Sequence, residues 1–234
     1  MTDRFKRINA LLGDGAMEKL RNATVMVVGC GAVGSFAVEA LARSGIGHIV
    51  LVDFDTVEES NINRQIFALS STIGMPKVDV AVARVRDINQ DIDVRAINTF
   101  FDEKTRIDVQ PDFVIDAIDT IDSKIALYKW CVAHNVPFAA SMGAALKSDP
   151  SQIRVGRISK TTVCPLAARV RKVVRDEKLP DFPVVYSTEM PNKSAASAGR
   201  VFGSIITVTG SFGLRLGDLA IKTIIGLSKD KNVI

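Results

Sequence analysis

The sequence predicts an α/β fold: a doubly wound, mostly parallel sheet with helices on both faces, extended by C-terminal strands and a helix. Three observations predict it. Short apolar runs alternate with segments of helical periodicity. The first run leads into glycines at 29, 31 and 34, spaced G-x-G-x-x-G. An acid, Asp53, closes the second run nineteen residues after Gly34.

Residues 8–20 have the periodicity of a short amphipathic helix. "TVMVVG" (24–29) reads as a buried strand, and residues 32–44 as the helix behind the glycine loop, with Val33, Phe36, Ala37, Ala40 and Leu41 at helical spacing. "HIVLVD" (48–53) is the second strand. Residues 76–90 open with Pro76 at a first-turn position and place Val78, Ala81, Val82, Val85 and Ile88 on one face, which is a helix. Strands are expected at 94–99, 113–118, 138–143 and 152–158, and a helix at 121–134. "PLAARVRKVVR" (165–175) is a helix with Leu166, Val170 and Val173 inward and Arg169, Lys172 and Arg175 outward. Pro, Ser, Ala and Gly crowd 176–200, so a mobile loop is expected there. The nearly uncharged run 201–214 is broken by Arg215, Asp218 and Lys222; it is too short to span a bilayer and reads as a buried or interface helix.

With 47% hydrophobic residues in 234, the chain can bury a core without disulfides. A single domain is expected, residues 1–145 binding the nucleotide and 146–234 serving substrate and dimer contacts. Cys30, Cys131 and Cys164 are odd in number and contain no C-x-x-C, which excludes a disulfide framework and a zinc site. The first fifteen residues lack the apolar core of a signal peptide, so a cytoplasmic protein is expected. The net charge of +4 is mild, but residues 147–178 carry nine Lys and Arg against three acids. Such a region attracts a phosphate backbone; it also describes an ordinary solvated helix face.

In the glycine loop, Gly29 allows the tight turn, Gly31 lets backbone approach a phosphate, and Gly34 lets the helix pack close to its strand. The helix N-terminus supplies free N–H groups, and Asp53 accepts from ribose hydroxyls. These features point to a nucleotide without separating a nicotinamide dinucleotide from ATP. The next segment does separate them. "DFDTVEESNINRQIF" (53–67) sets Asn61, Arg64 and Gln65 at the sheet's C-terminal edge, and Lys77 follows. Arg64 and Lys77 suit a triphosphate's extra charge. Carboxylates at Asp116 and Asp119, in "VIDAID", suit Mg²⁺, which takes a few carboxylates plus phosphate oxygens. Each residue has a plainer reading: Arg64 and Lys77 as surface charges, Asp116 as a helix cap.

These motifs, in this order and spacing, resemble the adenylating superfamily of ubiquitin-activating enzymes and their bacterial relatives that activate sulfur-carrier proteins. The resemblance covers residues 4–143 and is carried by the glycine motif, "DFDTVEESNINRQ", "IGMPK" and "DAID". It implies that a substrate carboxylate attacks the α-phosphate of ATP, giving an acyl-adenylate and pyrophosphate. It further implies that Asp53 binds ribose, that Asn61, Arg64 and Lys77 contact ribose and phosphates, and that Asp119 holds Mg²⁺. "RFKR" matches the segment that sends an arginine, here Arg7, into the partner's site of a homodimer. Thr120 departs from the Asn of many members.

"PLAARVRK", "YSTEMP" and "VTGSFGL" resemble the tRNA threonylcarbamoyladenosine dehydratase branch. That resemblance implies adenylation of the threonylcarbamoyl carboxylate on adenosine 37 of tRNA, then ring closure with loss of AMP. It gives Arg169, Lys172 and Arg175 a role on tRNA phosphates. The rival readings are activation of a carrier protein's C-terminal glycine, an NAD-linked oxidoreductase, and a non-catalytic binding module. The need for a monovalent cation or a sulfur-transfer partner protein stays open. Cys30 and Cys131, Trp130 and Phe36, Phe54 and Phe67 read as packing residues. Cys164, in an expected loop, is the one cysteine where a nucleophile is weighed.

Overall fold

In the computed structural model, which describes residues 3–192 and 202–227, seven strands form one sheet. They are β1 (Thr24–Val28), β2 (His48–Asp53), β3 (Asp93–Asn98), β4 (Phe113–Asp116), β5 (Phe138–Ser141), β6 (Ile153–Arg157) and β7 (Pro183–Ser187), in the order β3-β2-β1-β4-β5-β7-β6. All neighbouring pairs are parallel except β6 with β7. The strand order reverses between β1 and β4, and in such sheets the crevice beyond the strand C-termini at that point receives ligands.

Alternation along buried strands explains the two covered faces. Val25, Val27, Ile49, Leu51, Phe113 and Ile115 join one apolar cluster with α3 (Gly34–Ser44), α4 (Lys77–Ile88) and α7 (Ile206–Ile225). Met26, Val28, Val50, Val52 and Val114 join a second with α5 (Ile121–Ala133) and α6 (Pro165–Asp176). Successive side chains point to opposite faces, so strands buried on both sides are apolar throughout.

The uncharged run before Arg215 is accounted for by α7. Gly210, Gly213 and Gly217 lie against α3: a Cβ at Gly213 would stand 2.2 Å from the Val33 carbonyl oxygen, and one at Gly217 2.7 Å from Ala40 Cβ. Among the described residues no helix is long and apolar enough to cross a membrane. Two expectations need correction. The helix expected at 8–20 is two, α1 (Lys6–Leu12) and α2 (Asp14–Asn22), because Gly13 at φ +84° breaks it. The loop expected at 176–200 contains β7, an interior strand whose five residues lie between prolines that obscured it. Residues 193–200 of that expectation lie outside the described residues.

Candidate adenylation site

The three motif glycines have different physical reasons. Gly29 follows β1 at φ +94°, and a Cβ there would lie 2.7 Å from the Ala117 carbonyl oxygen. A Cβ on Gly34 would lie 1.7 Å from the Gly29 carbonyl oxygen, so β1 and α3 approach closely only because it is absent. Gly31 differs: its Cβ would meet only Gln65 Nε2, at an unstrained 3.8 Å. The fold does not crowd Gly31. The open space in front of it faces the buried Gln65 and lies just ahead of the first turn of α3, where the Ser35 amide donates to the Gly31 carbonyl at 3.0 Å.

Asp53 ends β2 beside this loop. Its Oδ2 accepts from the Cys30 amide at 2.5 Å and its Oδ1 from the Asp55 amide at 2.9 Å. Both bonds fix the carboxylate, and its remaining lone pairs can take hydroxyl donors. Burial first, and then the Asp53 charge, push the Cys30 thiol up, with Lys77 opposing; this cysteine stays a packing thiol. Lys77 opens α4. Its amide donates to the Asp55 carbonyl at 2.9 Å and its buried Nζ sits 2.8 Å from Asp55 Oδ2. The reading of Lys77 as a surface charge therefore fails: it is a buried ammonium held toward the C-terminal edge.

Asn61, also buried, closes its own turn, Oδ1 accepting from the Glu58 amide at 3.2 Å. Arg64 Nη1 donates to the Ser60 carbonyl at 2.7 Å and to Asn63 Oδ1 at 2.8 Å, leaving its other donors without a protein partner among the described residues. Asn63 in turn donates to the Ser204 carbonyl at 3.1 Å, tying this cluster to the segment entering α7.

Sequence reasoning missed two features. Phe54, expected in the core, is 54% exposed and meets Phe100, 45% exposed, edge to face with centroids 5.0 Å apart. The pair stands next to Asp53 and presents an apolar ring surface at the crevice. Its signal was "DFD": an aromatic directly after the edge acid falls outside the strand. The second feature is Asp116. It is neither a metal ligand nor a helix cap but wholly buried, with Oδ2 accepting from Lys124 Nζ and from Tyr128 Oη, both at 2.6 Å. Asp119, three residues on, is exposed and makes no hydrogen bond or ion pair among the described residues. No group of three or more His, Cys, Asp or Glu side chains there could hold a metal ion. One free carboxylate fits Mg²⁺, which binds through one or two carboxylates plus substrate phosphates.

Arg7 lies on α1, exposed and without a partner among the described residues, whereas Arg4 is spent on the Ile88 carbonyl and Asn89 Oδ1, each at 2.8 Å. On α6, Arg169 and Lys172 are exposed and unpaired among the described residues, and Arg175 pairs with Asp176 at 3.3 Å. Arg171, between them, is instead locked onto the Thr161 carbonyl at 2.8 Å. Cys164 does not sit in an open loop. It precedes α6, is 2% exposed, and packs against Gly143. The Gly143 carbonyl accepts from the buried Lys147 at 2.6 Å. Burial pulls the Lys147 ammonium down, with Cys164 and Glu189 holding it up.

A doubly wound sheet with a glycine loop, an edge acid and a buried lysine defines a nucleotide-binding enzyme fold of the adenylating kind. The ThiF family matches residues 5–233, and the chain belongs to that family. It is 47% identical over 195 residues to a Bacillus subtilis protein called tRNA threonylcarbamoyladenosine dehydratase, covering 82% of this chain and 77% of that one. Two crystal structures of the E. coli tRNA N6-threonylcarbamoyladenosine dehydratase, one in complex with ATP and one with AMP, superpose with TM-scores of 0.88 and 0.89. Both are 35% identical, over 95% of this chain and 94% of theirs.

Proposed function

We infer that this chain is an ATP-dependent tRNA threonylcarbamoyladenosine dehydratase. The observation that carries the reading is the open cradle in front of Gly31, walled by Gln65 and bounded by Asp53 and Lys77, in a fold whose 35%-identical neighbour is bound to ATP and to AMP. The edge acid and the uncrowded glycine suit a ribose and a phosphate chain. The Phe54–Phe100 rings offer an apolar surface to the adenine. Lys77, Arg64 and Asn61 face the triphosphate side, and Asp119 is the carboxylate for Mg²⁺. That ion, when bound, supplies charge neutralisation for the phosphates.

In the first step a threonylcarbamoyl carboxylate oxygen forms a bond to the α-phosphorus and the bond to the pyrophosphate oxygen breaks. In the second, another group of the same side chain attacks the activated carbonyl carbon and gives up its proton. AMP leaves with the former carboxylate oxygen, so the net loss to the nucleoside is one water. The attacking group belongs to the substrate and gains from proximity, so the chemistry needs no enzyme cysteine. The burial of Cys164 agrees with that. Lys77, held by Asp55, is pre-organised and loses little freedom in stabilising phosphate charge. Exposed Arg169 and Lys172 serve the tRNA backbone, with Arg175 at the end of the same row. Arg7 extends to a second copy's site in a homodimer.

ATP–pyrophosphate exchange tests the reading. Exchange should depend on tRNA bearing threonylcarbamoyladenosine. Exchange driven by a carrier protein with a C-terminal glycine, and not by tRNA, would overturn it.

A further inference from the structure

Asp116 and Asp119 stand three residues apart in "VIDAID", and the fold gives them opposite settings. Asp116, at the end of β4, is 0% exposed, and so are Lys124 and Tyr128, which lie one turn apart on α5. All three polar groups are satisfied. Lys124 Nζ donates to Asp116 Oδ2 at 2.6 Å and to the Ser141 carbonyl at 2.8 Å, so it ties the ends of β4 and β5 together. Tyr128 Oη donates to the same carboxylate oxygen at 2.6 Å.

The other oxygen, Oδ1, accepts from the Ile118 amide at 3.0 Å. That bond braces the Ala117–Asp119 turn from within. The same turn backs onto the glycine loop. The Ala117 amide donates to the Val28 carbonyl at 2.9 Å, and the Ala117 carbonyl oxygen occupies the space that a Cβ on Gly29 would need. One buried carboxylate thus touches the element that carries Asp119, and through it the floor of the cradle.

We propose that Asp116, Lys124 and Tyr128 form a buried positioning cluster for adenylation, fixing the 117–119 turn so that Asp119 and the glycine loop keep their relative placement. A buried ion pair is a poor device for stability alone, because well-packed apolar residues often replace one without loss. Its use here is directional. Held on one oxygen by Lys124 and Tyr128, the carboxylate aims the other at the Ile118 amide. The proposal rests on the reading of Asp119 as the Mg²⁺ carboxylate.

The test compares three variants of the full chain: Asp116→Leu with Lys124→Met together, Tyr128→Phe, and Asp119→Ala. Each is measured for thermal midpoint, for the rise in that midpoint caused by ATP with Mg²⁺ and by ATP with chelator, and for kcat and KM in tRNA-dependent exchange. The charge-free double variant should fold. It should lose about 10- to 100-fold in kcat, with little change in KM for ATP and a diminished Mg²⁺-dependent rise. Tyr128→Phe keeps the ion pair and should raise the half-saturating Mg²⁺ by about three-fold, as loss of one hydrogen bond of under 1 kcal/mol would. If the double variant does not fold, Tyr128→Phe decides. Wild-type kcat and a wild-type Mg²⁺-dependent rise in the folded double variant, or an unmoved Mg²⁺ requirement in Tyr128→Phe, overturn the cluster. If Asp119→Ala keeps the Mg²⁺-dependent rise, the Asp119 reading itself has failed and the cluster falls with it.

Discussion

The nucleotide edge and the outer face of α6 are both rich in charge, yet they are built in opposite ways. At the edge three charged groups are buried and braced, Asp53 by two amides, Lys77 by Asp55 and Asp116 by Lys124 and Tyr128, and Asp119 stands exposed beside them. On α6, Arg169 and Lys172 extend into solvent, while the one half-buried cation, Arg171, is consumed by its own chain. The two regions therefore supply different interactions. Fixed, dehydrated groups stabilise a charge that must form at one place. Long exposed cations follow a phosphate backbone and release its counterions.

The widest gap between variants should separate two glycines of one motif. Gly34→Ala forces a Cβ onto the Gly29 carbonyl and should abolish soluble folded protein. Gly31→Ala has room in the fold and should give a native circular dichroism spectrum with ATP affinity lowered about ten-fold, equivalent to about 1.4 kcal/mol. Equal expression and equal ATP affinity for the two would remove the argument that Gly31 is kept for a ligand.

Asp119→Ala should cost about 10²- to 10³-fold in exchange without unfolding, because this exposed carboxylate makes no hydrogen bond or ion pair among the described residues. Arg7→Ala should be similarly poor. Mixing the two after subunit exchange should return activity to about a quarter of the sites if each site is shared between copies, since half of randomly formed dimers are mixed. A mixture as inactive as its parents, despite confirmed exchange, would confine Arg7 to its own chain.

On α6 the expected effect is smaller and of a different kind. Arg169→Glu with Lys172→Glu should weaken tRNA binding about ten-fold or more at moderate salt. The slope of log affinity against log salt should fall by about one per lost contact, with ATP binding unchanged. An unaltered slope would place the tRNA elsewhere.

The smallest effect concerns neither region directly but the α3–α4 contact that supports the edge. Glu39 accepts from Arg84 at 2.9 and 3.0 Å and from Arg43 at 2.6 Å. Burial alone would raise its carboxyl, but the Arg84 hydrogen bonds and then those of Arg43 outweigh it and hold the group below the usual carboxylate range. The stabilisation is therefore present above that range and is lost as pH falls through the lowered value. Glu39→Gln should cost about 1–2 kcal/mol at neutral pH. Its melting curve should converge on that of the wild type in acid; a deficit independent of pH would assign the loss to packing.

Residues 24–90 were legible because their signals are local. Buried strands appear as apolar runs, and the motif glycines and Asp53 declare themselves by spacing. What stayed hidden depends on partners distant in sequence. The motif resemblance singled out Asp119, but the setting of Asp116 showed only once Lys124 and Tyr128 were seen to fold beneath β4. Phe54 looked like core because hydrophobicity says nothing of a residue that overhangs a strand end. β7 was concealed by flanking prolines, and its place between β5 and β6 rests on pairing alone. Cys164 looked accessible in an expected loop, and packing against Gly143 buries it.

Dehydration of a tRNA nucleoside through an adenylate changes the mass of that nucleoside, which mass spectrometry reads. tRNA carrying threonylcarbamoyladenosine is incubated with the full chain, ATP and Mg²⁺, then digested under neutral conditions. The modified nucleoside should lose the mass of one water, with AMP and pyrophosphate formed in equal amount, and Asp119→Ala should prevent it. An unchanged nucleoside, from protein that binds both ATP and this tRNA, would contradict it.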